Sequence, residues 1–176
     1  MKIFYFLIPL FLVNACKTQS GNVISSETNN MEKFEKSASD CPKGATCTVV
    51  IHKNKQLNIV DDGSGSFYPE IIDGKNLVVE YTFLKAGPDG TADGNYFENI
   101  SFEIPAQAEN LVKENSALSD VKMVFSKHGN RLGAYYKVTQ GKLLFSKAGN
   151  SATIDLRFKV DNSSQVISRI KETVNL

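Results

Sequence analysis

Tryptophan is absent from this chain, histidine occurs twice and cysteine three times in 176 residues. Each scarcity removes a class of chemistry. A zinc site draws on about four Cys, His or acidic ligands, and the only imidazoles, His52 and His128, stand far apart, each beside a lysine. They are also the only imidazoles available to activate a nucleophile, and each reads as a solvated position at a strand end. Without tryptophan, a sugar-binding platform lacks its favoured stacking ring. Net charge is nearly absent too, with 20 Lys and Arg against 19 Asp and Glu. A balanced chain projects no long-range field, so neither nucleic acid nor anionic lipid is expected as a partner. Only one long apolar run occurs, residues 3–13, broken by Pro9. It falls short of the roughly 20 residues that a bilayer-crossing helix needs.

What that run does carry is the layout of a cleaved export signal. Lys2 precedes the apolar stretch, and small Ala15 stands directly before Cys16. Leu12-Val13-Asn14-Ala15-Cys16 resembles the lipobox of bacterial lipoproteins, in which an aliphatic, a variable and a small residue precede the cysteine. The resemblance implies cleavage after residue 15, a diacylglycerol thioether on Cys16 and an acylated amino group. One acyl chain holds a protein only marginally, but each buried methylene adds about 0.8 kcal/mol, so three chains anchor it durably. Lys17 stands where an aspartate marks inner-membrane retention in the enterobacterial sorting rule. The resemblance therefore also implies delivery to the outer membrane. Removing residues 1–15 takes away Lys2 and no acid, leaving 19 residues of each sign.

With Cys16 committed to lipid, Cys41 and Cys47 remain as an even pair in an oxidising compartment. In Cys41-Pro42-Lys43-Gly44-Ala45-Thr46-Cys47, Pro and Gly let the chain double back, and the spacing exceeds that of a redox Cys-x-x-Cys pair. A structural disulfide is expected. Residues 17–40 are rich in Ser, Asn, Thr, Glu and Lys without a sustained apolar period, and they read as a flexible tether with a helical turn at 31–36. The resulting organisation is a signal peptide over 1–15, a lipidated cysteine and tether over 16–40, and one β-domain over 41–176, long enough for a single core.

Beyond Cys41 the hydrophobic period is two. Ala152, Ile154, Leu156, Phe158 and Val160 alternate with Thr153, Asp155, Arg157 and Lys159, as a strand with one wet face does. Ile100, Phe102 and Ile104 repeat the pattern, as do Val79, Tyr81 and Phe83, and Val121, Met123 and Phe125. Glu103 and Asp155 fall on the outward faces. With further strands at 46–51, 56–61, 132–139, 142–146 and 165–174, about nine antiparallel strands are predicted. Asp62-Gly63, Asp73-Gly74, Gly129-Asn130 and Gly149-Asn150 punctuate them. The fold class is all-β, a sandwich or a closed barrel. Residues 105–118, opening on Pro105 and carrying Ala, Gln, Glu and Lys, read as one short helix. The rhythm of Tyr135-Tyr136-Lys137-Val138-Thr139-Gln140-Gly141-Lys142-Leu143-Leu144-Phe145, then Gly149-Asn150, then the strand from Ile154, resembles Bacteroidota lipoproteins that join a lipobox, a polar tether and a compact β-domain.

Motifs of catalysis are sparse. Gly63-Ser64-Gly65-Ser66 follows Asp61-Asp62 and reads as a hairpin loop, not as a nucleophile elbow, which sits between a strand and a helix. Glu70, Asp73, Glu80, Glu98 and Glu103 supply acids for a glycosidase pair, which must stand about 5–10 Å apart. Gly87-Pro88-Asp89-Gly90-Thr91-Ala92-Asp93-Gly94-Asn95-Tyr96-Phe97-Glu98 groups oxygen donors, of which Asp89, Asp93 and Glu98 are the weak candidates for calcium. Its spacing departs from the EF-hand, with Ile100 at the twelfth position, and a polar hairpin is the favoured reading. Neither a metal nor another cofactor is expected. The expected function is a non-catalytic, lipid-anchored envelope protein whose β-domain binds another envelope component or a small ligand. The alternatives are an inhibitory or protective lipoprotein that blocks a protease or lysozyme-like enzyme, and a lipocalin-like carrier.

Overall fold

The computed structural model describes residues 33–38, 40–89, 91, 94–129 and 132–176, and the backbone alone at 33–37 and 132. The expected signal, Cys16 and most of the expected tether lie outside the described residues. Among the described residues the chain forms ten strands: β1 (Lys33–Ser37), β2 (Thr46–Asp61), β3 (Phe67–Lys85), β4 (Tyr96–Ile104), β5 (Asn110–Glu114), β6 (Val124–Gly129), β7 (Leu132–Lys137), β8 (Gln140–Ala148), β9 (Ser151–Lys159) and β10 (Arg169–Asn175). They form two antiparallel sheets, in the orders β1-β2-β3-β4-β6-β7 and β10-β9-β8-β5. The sheets do not join into a barrel. The fold is a sandwich.

Alternation decides what lies between the sheets. Val49, Ile51, Val79, Tyr81, Phe83, Ile100, Phe102 and Phe125 of the larger sheet meet Leu143, Phe145, Ile154, Leu156, Phe158 and Ile170 of the smaller. The rings of Phe125 and Phe158 approach to 6.0 Å between centroids. Fully burying each such side chain contributes about 1.5–3 kcal/mol. The Cys41–Cys47 disulfide forms as expected, with Cα atoms 5.6 Å apart. It closes the turn that leads into β2.

Four local expectations need correction. Within the expected helical turn at 31–36, residues 33–36 belong instead to β1, which pairs with β2 from Lys33↔His52 to Ser37↔Thr48. The helix over 105–118 is displaced. Residues 110–114 become β5 because their alternation lets Leu111 face the core while β8 supplies the backbone partners. A 3-10 helix then runs over Asn115–Val121, anchored by buried Leu118 and Val121. The strand expected over 165–174 starts only at Arg169, because side chains claim the backbone before it. The Gln165 amide accepts from Val160 N–H and donates to Phe158 and Ile167 carbonyls.

The fourth correction shapes the molecule. Asp73-Gly74 is not a turn but an irregularity inside β3, where Lys55 pairs with both Asn76 and Asp73. Asn54 adopts the left-handed region at φ 55°. A Cβ on Gly74 would lie 2.7 Å from the Gln56 side chain, so only glycine lets that side chain cross the backbone here. Beyond this bulge the β2–β3 hairpin continues as an arm to the loop at 62–66 and lies over the outward face of its own sheet. Leu57 is buried. Phe67 packs at 6.5 Å from the Tyr135 ring of β7, and Lys137 Nζ stands 5.3 Å over Phe67. Val78, Ser101, Glu103 and Val124, all outward-facing on the larger sheet, are buried.

Tyr81 places its hydroxyl in the core, where it has no hydrogen-bond partner among the described residues. Burial first, and then the charges of Glu172, Asp40 and Glu98, push it up to about 12. A phenol whose ionisation is raised on folding stabilises fully below its unfolded value near 10, and that contribution is lost as pH rises toward 12. Tyr96 is raised in the same direction by burial and by its bond to Glu98. Equilibrium denaturation as a function of pH is therefore expected to show stability falling between pH 10 and 12. Tyr81→Phe should flatten that slope in part and cost nothing at pH 7, because it removes an unsatisfied hydroxyl. A slope unchanged by Y81F would contradict the assignment.

Candidate functional site

The outward faces of the two sheets differ. The arm covers part of the larger one, whereas on the smaller the outward residues of β8, β9 and β10 stay largely open. Register aligns them in rows. Glu114, Lys142, Arg157 and Arg169 lie directly opposite one another across β5, β8, β9 and β10. The next row is Val112, Leu144, Asp155 and Lys171. Directly opposed Cβ atoms stand about 4.5–5.5 Å apart, and like charges in such positions destabilise a sheet. Here Lys142, Arg157 and Arg169 are three cations in one row.

Compensation is partial and sits at the ends of the row. Lys142 pairs with Glu114 at 2.7 Å, and Arg169 reaches Asp155 at 3.7 Å. Among the described residues no carboxylate lies within ion-pair distance of Arg157, Lys159 or Lys171. Beside the row a shallow, open cleft of about 600 Å³ is lined by Asn115, Gln140, Gly141, Arg157, Lys159 and Arg169, among others. Its floor is built by Gly141. At φ 142° this residue brings β8 so close to β9 that a Cβ would sit 2.2 Å from the Arg157 carbonyl oxygen. The left-handed Asn115 accepts the Gly141 N–H through its side-chain oxygen at 3.2 Å. Val112 and Leu144, 57% and 39% exposed, flank the cations. This face was missed by the sequence reading, which summed charge over the chain. The signal was available in Arg157, Lys159, Arg169 and Lys171, all at outward positions of predicted strands.

The residues singled out in the sequence are dispersed. Glu98 is 1% exposed, inside the sandwich. Its carboxylate accepts Val166 N–H at 2.6 Å, Ile167 N–H at 2.8 Å and the Tyr96 hydroxyl at 2.7 Å. Asp89 is exposed in the loop after β3, and Asp93 lies outside the described residues. Glu98 is thus a structural acceptor. Among the described residues no group of three His, Cys, Asp or Glu side chains is placed to hold a metal. Glu103 occupies an outward position, as alternation required, but the arm covers it. It accepts Leu57 N–H at 2.9 Å and pairs with Lys122 at 3.2 Å, while Lys122 also donates to the Leu57 carbonyl at 2.7 Å.

The other acids have separate commitments. Glu80 meets His52 Nε2 at 2.7 Å, Asp73 meets Lys55 at 2.7 Å, and Glu70 stands 3.5 Å from Asn58. His128 stands at the end of β6, as expected, but His52 does not stand at a strand end. His52 lies midway along β2 and is half-buried, because the strands predicted at 46–51 and 56–61 are one. His128 lies edge-on to Tyr135 at 5.6 Å and covers Gly133, whose Cβ would clash with its ring at 2.5 Å. Ser64 Oγ donates to Asp62 at 2.7 Å within the arm's loop, which is the hairpin expected there. Under the arm, Ile59, Met123, Val124 and Val138 line a pocket of about 220 Å³ with Lys122 and Lys137.

Comparison of the chain with known protein families, with curated proteins and with solved structures finds no match.

Two substitutions separate the buried acid from the basic row. Glu98→Gln replaces an oxygen by an amide donor facing backbone donors, and a loss of about 1–3 kcal/mol in chemical denaturation is expected. A neutral outcome would mean that the amides find other partners. Arg157→Thr relieves like-charge contact on the open face and is expected to raise stability by about 0.2–1 kcal/mol. A clear loss on R157T would show that the row serves the fold.

Proposed function

We propose that this chain is a non-catalytic lipoprotein of the bacterial envelope, anchored through Cys16 in the outer membrane. Its β-domain binds another envelope component through the outward face of the four-stranded sheet. The lipobox resemblance supports the anchor. The observation that carries the binding role is the basic row, compensated at its two ends but not, among the described residues, at its central Arg157. Three cations held in register on an exposed sheet face oppose the stability of that sheet, and residues that cost stability without contributing to packing are characteristic of binding surfaces.

The tether suits that role. A polar linker between the anchor and β1 would let the domain turn its smaller sheet toward a partner while remaining near the membrane. Tethering also raises the effective concentration of the domain near anything else held in the envelope.

In-cell photo-crosslinking tests both parts. With the reactive residue at Thr153, on the outward face of β9, a discrete adduct is expected, and none with it at Lys75 on the larger sheet. Cys16→Ser is expected to move the protein out of the membrane fraction. Adducts from Lys75 but not Thr153 would transfer the binding role to the other sheet. Retention of the C16S variant in the membrane would remove the anchor.

A further inference from the structure

Resting on that reading of the face, we propose that its ligand is an acidic glycan, a sugar chain bearing carboxylate or phosphate groups. Arg157 is the centre of the argument. It stands between Lys142 and Arg169 in the cross-strand row, with Lys159 next on the same face of β9. The row repeats a positive charge at the strand spacing of about 4.8 Å. A bound anion would relieve the repulsion among these groups, and guanidinium bonds to carboxylate or phosphate are short, strong and often bidentate.

The cleft supplies the rest of the recognition. Asn115, Gln140 and Ser168 line it alongside Arg157, Lys159 and Arg169. The Asn115 oxygen is held by Gly141 N–H, which leaves its amide hydrogens to donate. The Gln140 nitrogen donates to Asp161 at 2.7 Å, which leaves its oxygen to accept. Amide donors and acceptors beside guanidinium groups match a molecule that carries hydroxyls as well as anionic groups. No aromatic side chain points outward on β5, β8, β9 or β10. A neutral sugar has no ring to stack on, so charge must supply the affinity.

The test is calorimetric titration of the purified full-length mature protein with oligoalginate, a carboxylated glycan. Dextran, polyphosphate and vesicles of phosphatidylcholine with phosphatidylglycerol serve as the other probes. Oligoalginate is expected to bind, more weakly as salt is added, and dextran is not. Arg157→Glu with Lys159→Glu should weaken binding about tenfold or more. Lys75→Glu with Lys85→Glu alters net charge equally and should leave it unchanged. Gln140→Ala should weaken oligoalginate but not polyphosphate.

Equal losses in the two double variants, or an unchanged Q140A, would overturn the proposal, as would binding to vesicles or polyphosphate without oligoalginate. Thermal melts of each variant confirm that the fold persists, and Arg157→Gln is the milder replacement where R157E does not fold. If Thr153 still crosslinks to an envelope component while oligoalginate fails to bind, the face stands and only the ligand class falls. If neither occurs, both fall.

Discussion

One buried carboxylate ties the two sheets together. Glu98 reaches from β4 of the larger sheet across the interior and takes the backbone N–H groups of Val166 and Ile167, just ahead of β10 in the smaller. Those amides precede the strand and have no ladder partner, and a buried amide left unpaired costs about 1–3 kcal/mol. Placing β10 at the edge of its sheet depends on solving that problem, and Glu98 solves it from the opposite layer. Tyr96 adds a third hydrogen bond from the same strand. Apolar packing holds the sheets together, but it is non-directional. The carboxylate specifies where the last strand begins.

Much of the fold was legible because alternation is a local property. Val79, Tyr81 and Phe83, and Ile154, Leu156 and Phe158, announced core-facing strands, and they are buried as their spacing required. The Cys41–Cys47 ring and the 62–66 hairpin followed from turn chemistry in the same way. What was not legible involves partners distant in sequence. Gly74 reads as a turn until Gln56 is seen to cross it. Glu103 reads as a solvated residue until the arm brings Leu57 onto it. Residues 105–118 carry helix-forming residues, yet β8 offers residues 110–114 a ladder and a packing site, and tertiary contact overrides propensity.

Charge taught the same lesson in the opposite sense. A net balance over the chain says nothing about how the charges are partitioned, and here strand register partitions them. The rows of the smaller sheet gather Lys142, Arg157, Lys159, Arg169 and Lys171, while acids elsewhere are spent on internal partners: Glu103 on Leu57 and Lys122, Glu80 on His52, Glu98 on two amides. Candidate residues for the site were therefore visible one by one and invisible as a set, because the sum that mattered was over a face.

The bulge at Asn54 and Gly74 has a consequence for valence. By turning the hairpin back over part of its own sheet, it lays the chain across one broad face of the sandwich and leaves the other free. A domain with two equivalent open faces can bridge; one with a single open face can only cap. A protein built this way would decorate an extended partner one copy at a time and leave its segments unjoined.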